Sequence, residues 1–428
     1  MLKMSVNFAQ KWLQVFTDIL VSSASAVVFL FLDFLDVLFC VFFKLIDKLF
    51  EGKSSVCYCS IENEEEEKSD NNNENNVLSS TLYKRKNLFR GIGFRRNISN
   101  RRKLNENVRW SDCSCENCIS WMNNIEAELK LHVVIKEPHP ANLEDFKGKK
   151  AENIVFLHGF LSSSTFWTET IFPNLSEDAM QKYRLLAVDL LGFGKSPKPN
   201  NCLYTLKDHV GMIESSVIQP FELNSFHIVA HSMGCVVALA LAAKHSHSVR
   251  SITLIAPPYV TSTKEDVSLT ALNRLAARRL WPPLLFGSSF MSWYEHLGRC
   301  ICYIICKNHR IWEGILKLLT WNRNLHFMAI DLTRHTHHSA WHTMHNVICG
   351  GAKFMDQYLE TLRIAKVKIN VIQGSRDQVV PIECSNNVKM KVSNAEVKII
   401  DNADHTSVVI GRENELCNDL EKLRGSIC

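Results

Sequence analysis

With 428 residues the chain has room for two or three domains of ordinary size or one large domain with additions, and 46% hydrophobic residues exclude wholesale disorder. A net charge of +5 over that length gives no ground for a nucleic-acid partner, and none is expected. Fifteen cysteines, an odd number in a long chain, exclude a small disulfide-framework protein.

Residues 1–50 begin with Lys3 and Lys11, then run apolar from Ile19 to Phe43 with no charge except Asp33 and Asp36. The uncharged part, from Ile19 to Leu32, has the length of a signal-peptide apolar region. Extending it to Phe43 gives spanning length but takes two carboxylates into the apolar zone. Each costs roughly 2.5–3.5 kcal/mol at a span's centre. We expect a signal peptide or membrane anchor here, with entry to the secretory pathway and membrane association through this segment. A helix lying on a membrane face is the alternative.

Residues 51–125 read as a polar, charged linker. An acidic, Asn-rich run from Glu62 to Glu74 precedes a basic run from Lys84 to Lys103. Cysteines cluster at Cys57 and Cys59, at Cys113, Cys115 and Cys118, and at Cys300, Cys302 and Cys306. The middle triplet has zinc-like spacing but no obvious fourth ligand, His132 being a weak candidate. No metal and no cofactor are expected, and disulfides from these clusters are expected in an oxidising compartment.

From residue 126 the pattern changes to short apolar runs: Leu131–Lys136, Asn153–Leu157, Arg184–Asp189, Phe226–Ala230, Ser251–Ala256, Val367–Gln373 and Glu396–Ile400. Helix-length segments such as Cys235–Lys244 lie between most of them, which predicts an α/β fold with a mostly parallel sheet covered on both faces. Residues 126–256 and 367–428 form its two parts. Residues 257–366 show no clear strand, are rich in Trp, Arg and His, and predict an inserted helical cap.

The sequence Ile228-Val229-Ala230-His231-Ser232-Met233-Gly234-Cys235 is a buried strand, a reactive residue and a helix start. Serine at such a sharp strand-to-helix turn presents its hydroxyl above the sheet edge. Ala230 stands where the first glycine of Gly-x-Ser-x-Gly is usual. Two partners follow at C-terminal strand ends, in the order Ser, Asp, His: Asp377 in Gly-Ser-Arg-Asp and His405 in Asp-Asn-Ala-Asp-His. His405 is the expected general base, and Asp377 the group that holds its tautomer. Asp404 is a rival acid with a more plausible loop role.

A tetrahedral oxyanion needs donors. Met233 N–H and Phe160 N–H are assigned to it, with Gly159 allowing close approach and His158 ordering the loop. The glycines of Asp189-Leu190-Leu191-Gly192-Phe193-Gly194-Lys195-Ser196 miss phosphate-loop spacing and predict a turn at the pocket rim. His335, His337, His338, His342 and His345 include helical pairs but no acidic partner, and are expected as pocket-lining or cap-surface residues.

The stretch from about Glu137 to Pro258, with Phe156-Leu157-His158-Gly159-Phe160-Leu161-Ser162-Ser163, the Asp189 turn and Ala-His-Ser-Met-Gly-Cys, resembles the plant Bodyguard proteins, membrane-targeted α/β-hydrolases of the epidermis. The C-terminal Asp377 and His405 motifs and the apolar N-terminus extend the similarity over most of the chain. The resemblance implies the α/β-hydrolase fold and a lysophospholipase-like serine hydrolase with its site at Ser232, Asp377, His405 and the His158 loop. It further implies a role in building the cutin and wax cuticle, at the plasma membrane or in the cell wall. An enzyme that cleaves or transfers long-chain acyl esters is the expectation. The other readings are a small-molecule receptor on the same fold and a non-catalytic wall scaffold.

Overall fold

The computed structural model describes residues 2–52, 78–82, 89, 109–122, 129–138, 151–261, 268, 270–271 and 292–425. The acidic run, nearly all of the basic run, Cys57 and Cys59 lie outside the described residues.

Seven strands form one sheet in the order β1-β3-β2-β4-β5-β6-β7: β1 Val133–Lys136, β2 Glu152–Leu157, β3 Tyr183–Val188, β4 Phe226–His231, β5 Val249–Ile255, β6 Lys368–Gly374 and β7 Glu396–Ile400. Only β1 is antiparallel, against β3. The seven apolar runs of the sequence all become strands. Ile154, Val155, Leu185, Leu186, Ile228 and Val229 have no exposed surface. Neighbouring strand residues point to opposite faces, so both faces are covered, and the runs are continuous rather than alternating for that reason.

Much of the cover on one face comes from the helix α3, Met233–Lys244, apolar from Met233 to Ala242 and buried throughout that stretch. It packs on β4 and on the helix α7, Met355–Ile364. Leu241 is wholly buried there, and Leu241→Ala would cost about 2–5 kcal/mol.

Among the described residues, 257–366 contains helices and no strand. Its helices include α4 Glu295–Ile304, α5 His309–Thr320 and α6 His337–Thr343. The five cap histidines depart from the surface reading. Four of them, His335, His337, His342 and His345, are buried and His338 is half-buried, with residues 78–82 and the loop around residue 202 forming part of their cover: His345 Nδ1 is 2.9 Å from Thr81 Oγ1, and His338 Nε2 is 2.8 Å from the Cys202 carbonyl.

The N-terminal segment is one helix, α1, Leu2–Glu51, packed along α4. Among the described residues no helix is long and apolar enough to cross a membrane. The carboxylates that interrupt the apolar run bind the cap. Tyr294 Oη donates to Asp33 Oδ1 at 2.9 Å, and His296 N donates to Asp36 Oδ1 at 3.1 Å. Asp47, with no exposed surface, takes both arms of the Arg299 guanidinium at 2.6 and 2.8 Å. The opposite face of α1 leaves Val27, Phe31, Phe34, Leu38, Phe42 and Leu45 exposed.

Candidate active site

Three loops at the C-terminal edge of the sheet meet at one point. Ser232 follows β4 and precedes α3 with φ 54°, ψ −122°, a conformation that L-residues rarely adopt. Its amide donates to the Ile255 carbonyl at 2.8 Å, which ties the strained turn to β5. Ala230 is fully buried in β4, and the turn forms with its methyl packed in the core. The close approach falls instead at Gly234, where an added methyl would lie 2.6 Å from the His158 carbonyl.

Ser232 Oγ is 2.9 Å from His405 Nε2, and His405 Nδ1 is 2.8 Å from Asp377 Oδ2. With Nδ1–H donating to the Asp377 carboxylate, Nε2 accepts from the serine hydroxyl. The Val379 and Val380 amides donate to Asp377 Oδ1 at 2.7 and 2.8 Å, and Gln373 Nε2 donates to Oδ2 at 3.1 Å. Burial pushes the Asp377 carboxyl up, but the His405 bond and these amides outweigh it and hold it below its ordinary value. The rival acid is occupied elsewhere. Asp404 Oδ1 accepts from the Thr406 and Ser407 amides at 2.9 and 2.7 Å, and the Ser407 amide leads in drawing it down to about 2.

The loop after β2 lies against the serine. A methyl on Gly159 would sit 3.0 Å from His231 Nδ1 and 3.3 Å from Ser232 Cβ, so glycine allows Phe160 to come close. Met233 is the first residue of α3, and its N–H has no carbonyl one turn behind it to bond. His158 is fully buried, its Nδ1 2.7 Å from the Gly159 carbonyl and its Nε2 accepting from Leu190 N at 2.9 Å. Burial lowers its affinity for a proton, so it orders the loop as a neutral ring.

Asp189 lies inside rather than at a rim. The Ser164 and Lys195 amides donate to its carboxylate at 2.5 and 2.8 Å, and His132 Nδ1 is 3.1 Å away. Burial raises this carboxyl, yet His132 and the amides hold it well below its usual range. His132 is thereby excluded as the fourth partner of the Cys113 triplet. That partner is His309, 191 residues beyond Cys118. The expected disulfides do not form among the described cluster cysteines, Cys113, Cys115, Cys118, Cys300, Cys302 and Cys306.

Two residues escaped the sequence reading. His231, beside the serine in sequence, reaches the His405 carbonyl with Nε2 at 3.0 Å and stacks on Phe166. It positions the loop that carries the base, and its signal was its place inside the serine motif. Asp331, from the cap, accepts from Ser163 Oγ and Thr165 Oγ1 at 2.7 and 2.5 Å, joining cap to core beside the 158–160 loop. Nothing in the sequence marks it.

The arrangement can pass a proton from a hydroxyl to an imidazole, and can offer two amides to an oxygen that becomes negative. Comparison with known proteins agrees with the fold. Residues 152–282 match the family model described as alpha/beta hydrolase fold. The chain is 50% identical over 415 residues to an Arabidopsis thaliana protein named "Probable lysophospholipase BODYGUARD 4", covering 94% of this chain and 96% of that one. It is 44% identical to BODYGUARD 5 of the same plant, covering 95% and 96%, and 39% identical to BODYGUARD 1, covering 92% and 94%.

Proposed function

Because the chain belongs to the Bodyguard family of α/β-hydrolase-fold proteins, we propose that it is a serine hydrolase of long-chain acyl esters, working at a membrane surface. The observation that carries this reading is the unbroken line Ser232 Oγ, His405 Nε2, His405 Nδ1, Asp377 Oδ2, with 2.9 and 2.8 Å steps at a strained nucleophile turn.

In the proposed reaction Ser232 Oγ attacks the ester carbonyl while His405 Nε2 takes its proton. Phe160 and Met233 N–H stabilise the tetrahedral oxyanion. His405 then protonates the departing alcohol, leaving an acyl-serine. Water, deprotonated by the same imidazole, releases the fatty acid. An alcohol in place of water would make the same intermediate an acyl donor. The relatives' lysophospholipase names support an ester bond in a lipid as the target.

The exposed apolar face of α1, with Phe31, Phe34 and Phe42, supports membrane association through the N-terminal segment, as a helix lying in the interface. The proposal extends to the secretory pathway and to cuticle formation, on the strength of the family resemblance.

Purified full-length protein is to be profiled against lysophospholipid, monoacylglycerol and hydroxy-fatty-acyl glycerol. Ser232→Ala should abolish covalent labelling by a fluorophosphonate and lower turnover by about 10⁶-fold. Stoichiometric labelling of that variant would dismiss Ser232 as nucleophile. For the biological role, a plant lacking the protein should regain an impermeable epidermis with the wild-type chain and not with Ser232→Ala.

A further inference from the structure

Residues 113–118, Cys-Ser-Cys-Glu-Asn-Cys, bend tightly into the helix α2, Glu116–Met122, so that three sulfurs face one way. The first residue of α5, His309, meets them. The three sulfurs and one nitrogen of His309 all lie within 4.8 Å of one another.

Cys115 Sγ is 3.5 Å and Cys118 Sγ 3.6 Å from His309 Nε2. A ring nitrogen carries either one lone pair or one hydrogen, and so satisfies one thiol, not two. A tetrahedral zinc with Zn–S about 2.3 Å and Zn–N about 2.0–2.1 Å has S···N edges of about 3.5–3.6 Å. The observed separations are the edges of that tetrahedron. His309 Nδ1 lies 3.0 Å from Glu313 Oε1, a carboxylate placed to take the Nδ1 proton and turn Nε2 toward a metal.

A second cluster repeats the geometry. Cys302 in α4 and Cys306 one turn later each place Sγ 3.6 Å from His335 Nε2. Again one nitrogen stands between two sulfurs. One cleft joins the clusters, with Cys113 and Cys118 on one side and Cys306 and His335 on the other. Lys198 and Arg334 line it too, cations suited to offset thiolates.

We propose that the protein holds two zinc ions, a structural one on Cys113, Cys115, Cys118 and His309, and a second on Cys302, Cys306 and His335. The first site uses four protein ligands, the closed form expected of structural rather than hydrolytic zinc, and the second uses three. None of the seven belongs to the Ser232 line. The first ion clamps the segment ahead of β1 onto the cap. That segment begins with Trp110, whose Nε1 donates to Asp47 Oδ1 at 2.6 Å and whose carbonyl accepts from Lys307 Nζ at 2.6 Å. Zinc therefore holds Trp110 between Asp47 of α1 and Lys307 of the cap.

The test uses the full chain, purified in detergent without chelator after expression with zinc in the medium. Metal analysis should give two zinc ions per chain, falling to one in Cys115→Ser and to one in Cys302→Ser. His309→Cys, which keeps four ligands, should retain both ions, and its cobalt-substituted form should gain thiolate charge-transfer intensity. The cluster cysteines of the wild type should resist iodoacetamide until a strong chelator is added. A folded wild-type chain with no zinc, its cluster cysteines alkylated or recovered as disulfides, overturns the proposal. A single ion lost with Cys115→Ser but kept in Cys302→Ser overturns the second site, and the converse overturns the first.

Discussion

The Arg299–Asp47 pair gives the sharpest test of how the N-terminal helix is held. Asp47 has no exposed surface and Arg299 is 4% exposed, its guanidinium 4.5 Å from the Phe43 ring centroid. A charge left in such a place loses both its partner and water. Breaking a buried pair from one side costs about 3–5 kcal/mol. Replacing both charges by apolar groups of similar volume is often neutral or stabilising, because neither ion then needs desolvating. Arg299→Leu should therefore loosen α1 strongly, and Arg299→Leu with Asp47→Leu should restore part of the loss, because Trp110 Nε1 then loses its acceptor on Asp47.

Undocking is local, so the readout is hydrogen exchange of α1 amides near Asp47 rather than global unfolding. At about 1.36 kcal/mol per tenfold step, Arg299→Leu should speed exchange there by about two to four decades. Exchange in β4 should be unchanged. Rates in Arg299→Leu close to wild type, or a double variant looser than the single one, would refute the claim that this pair holds the helix.

Asp377→Asn should keep the fold and lower turnover by roughly 10⁴-fold, through loss of the imidazole tautomer, while Asp404→Asn should remain near wild type. A larger effect at Asp404 would transfer the role to it. Acid should also unfold the protein early. Burial depresses His209 to about 4 and His345 to about 3, and burial with the neighbouring His405 depresses His231 to about 3. A histidine whose folded value lies below its unfolded one contributes stability above about pH 6.5 and loses it as pH falls through the folded value. Each can remove up to about 1.4 kcal/mol per pH unit in that window, so the three together reach about 4. Near-ultraviolet circular dichroism should therefore begin to fall between pH 6 and 5, and a signal flat down to pH 4.5 would count against neutral burial of these rings.

The sheet and the serine site were legible because each depends on short-range sequence. A strand covered on both faces must be apolar at consecutive positions, and a nucleophile turn needs a small residue after its serine. What the sequence hid depends on contacts between distant residues. Cys113, Cys115 and Cys118 announce three ligands, but the fourth lies in α5, and only the fold can say that His309 rather than the nearer His132 reaches them. The same holds for Asp331, an unremarkable cap residue until Ser163 and Thr165 turn out to need an acceptor. Of the pocket-lining and cap-surface readings of the cap histidines the surface one fails, because residues 78–82, in a stretch with linker composition, form part of their cover.

The N-terminal segment carried a signal that length and hydropathy miss. At 100° per residue, Asp33, Asp36 and Asp47 fall within about 60° of one another on the helical wheel. Val27, Phe31, Phe34, Leu38, Phe42 and Leu45 occupy the opposite side, and these are the exposed residues. A spanning helix would carry Asp33 and Asp36 into hydrocarbon at a cost of several kcal/mol. A helix lying in the interface satisfies both faces at once, with its carboxylates on the cap and its rings in lipid. The two arrangements differ in depth profile. A fluorophore placed singly at positions 27, 34, 38 and 45 of the full chain on phosphatidylcholine–phosphatidylserine vesicles, with quenchers at graded depths in the acyl chains, reads that profile. A lying helix puts all four at one depth, about 5–10 Å into the headgroup–acyl boundary. A span instead places adjacent positions at depths stepping by about 1.5 Å per residue, some 27 Å from 27 to 45. Equal quenching is the expected result, and a stepped profile would overturn the interfacial placement while leaving the Ser232 site untouched.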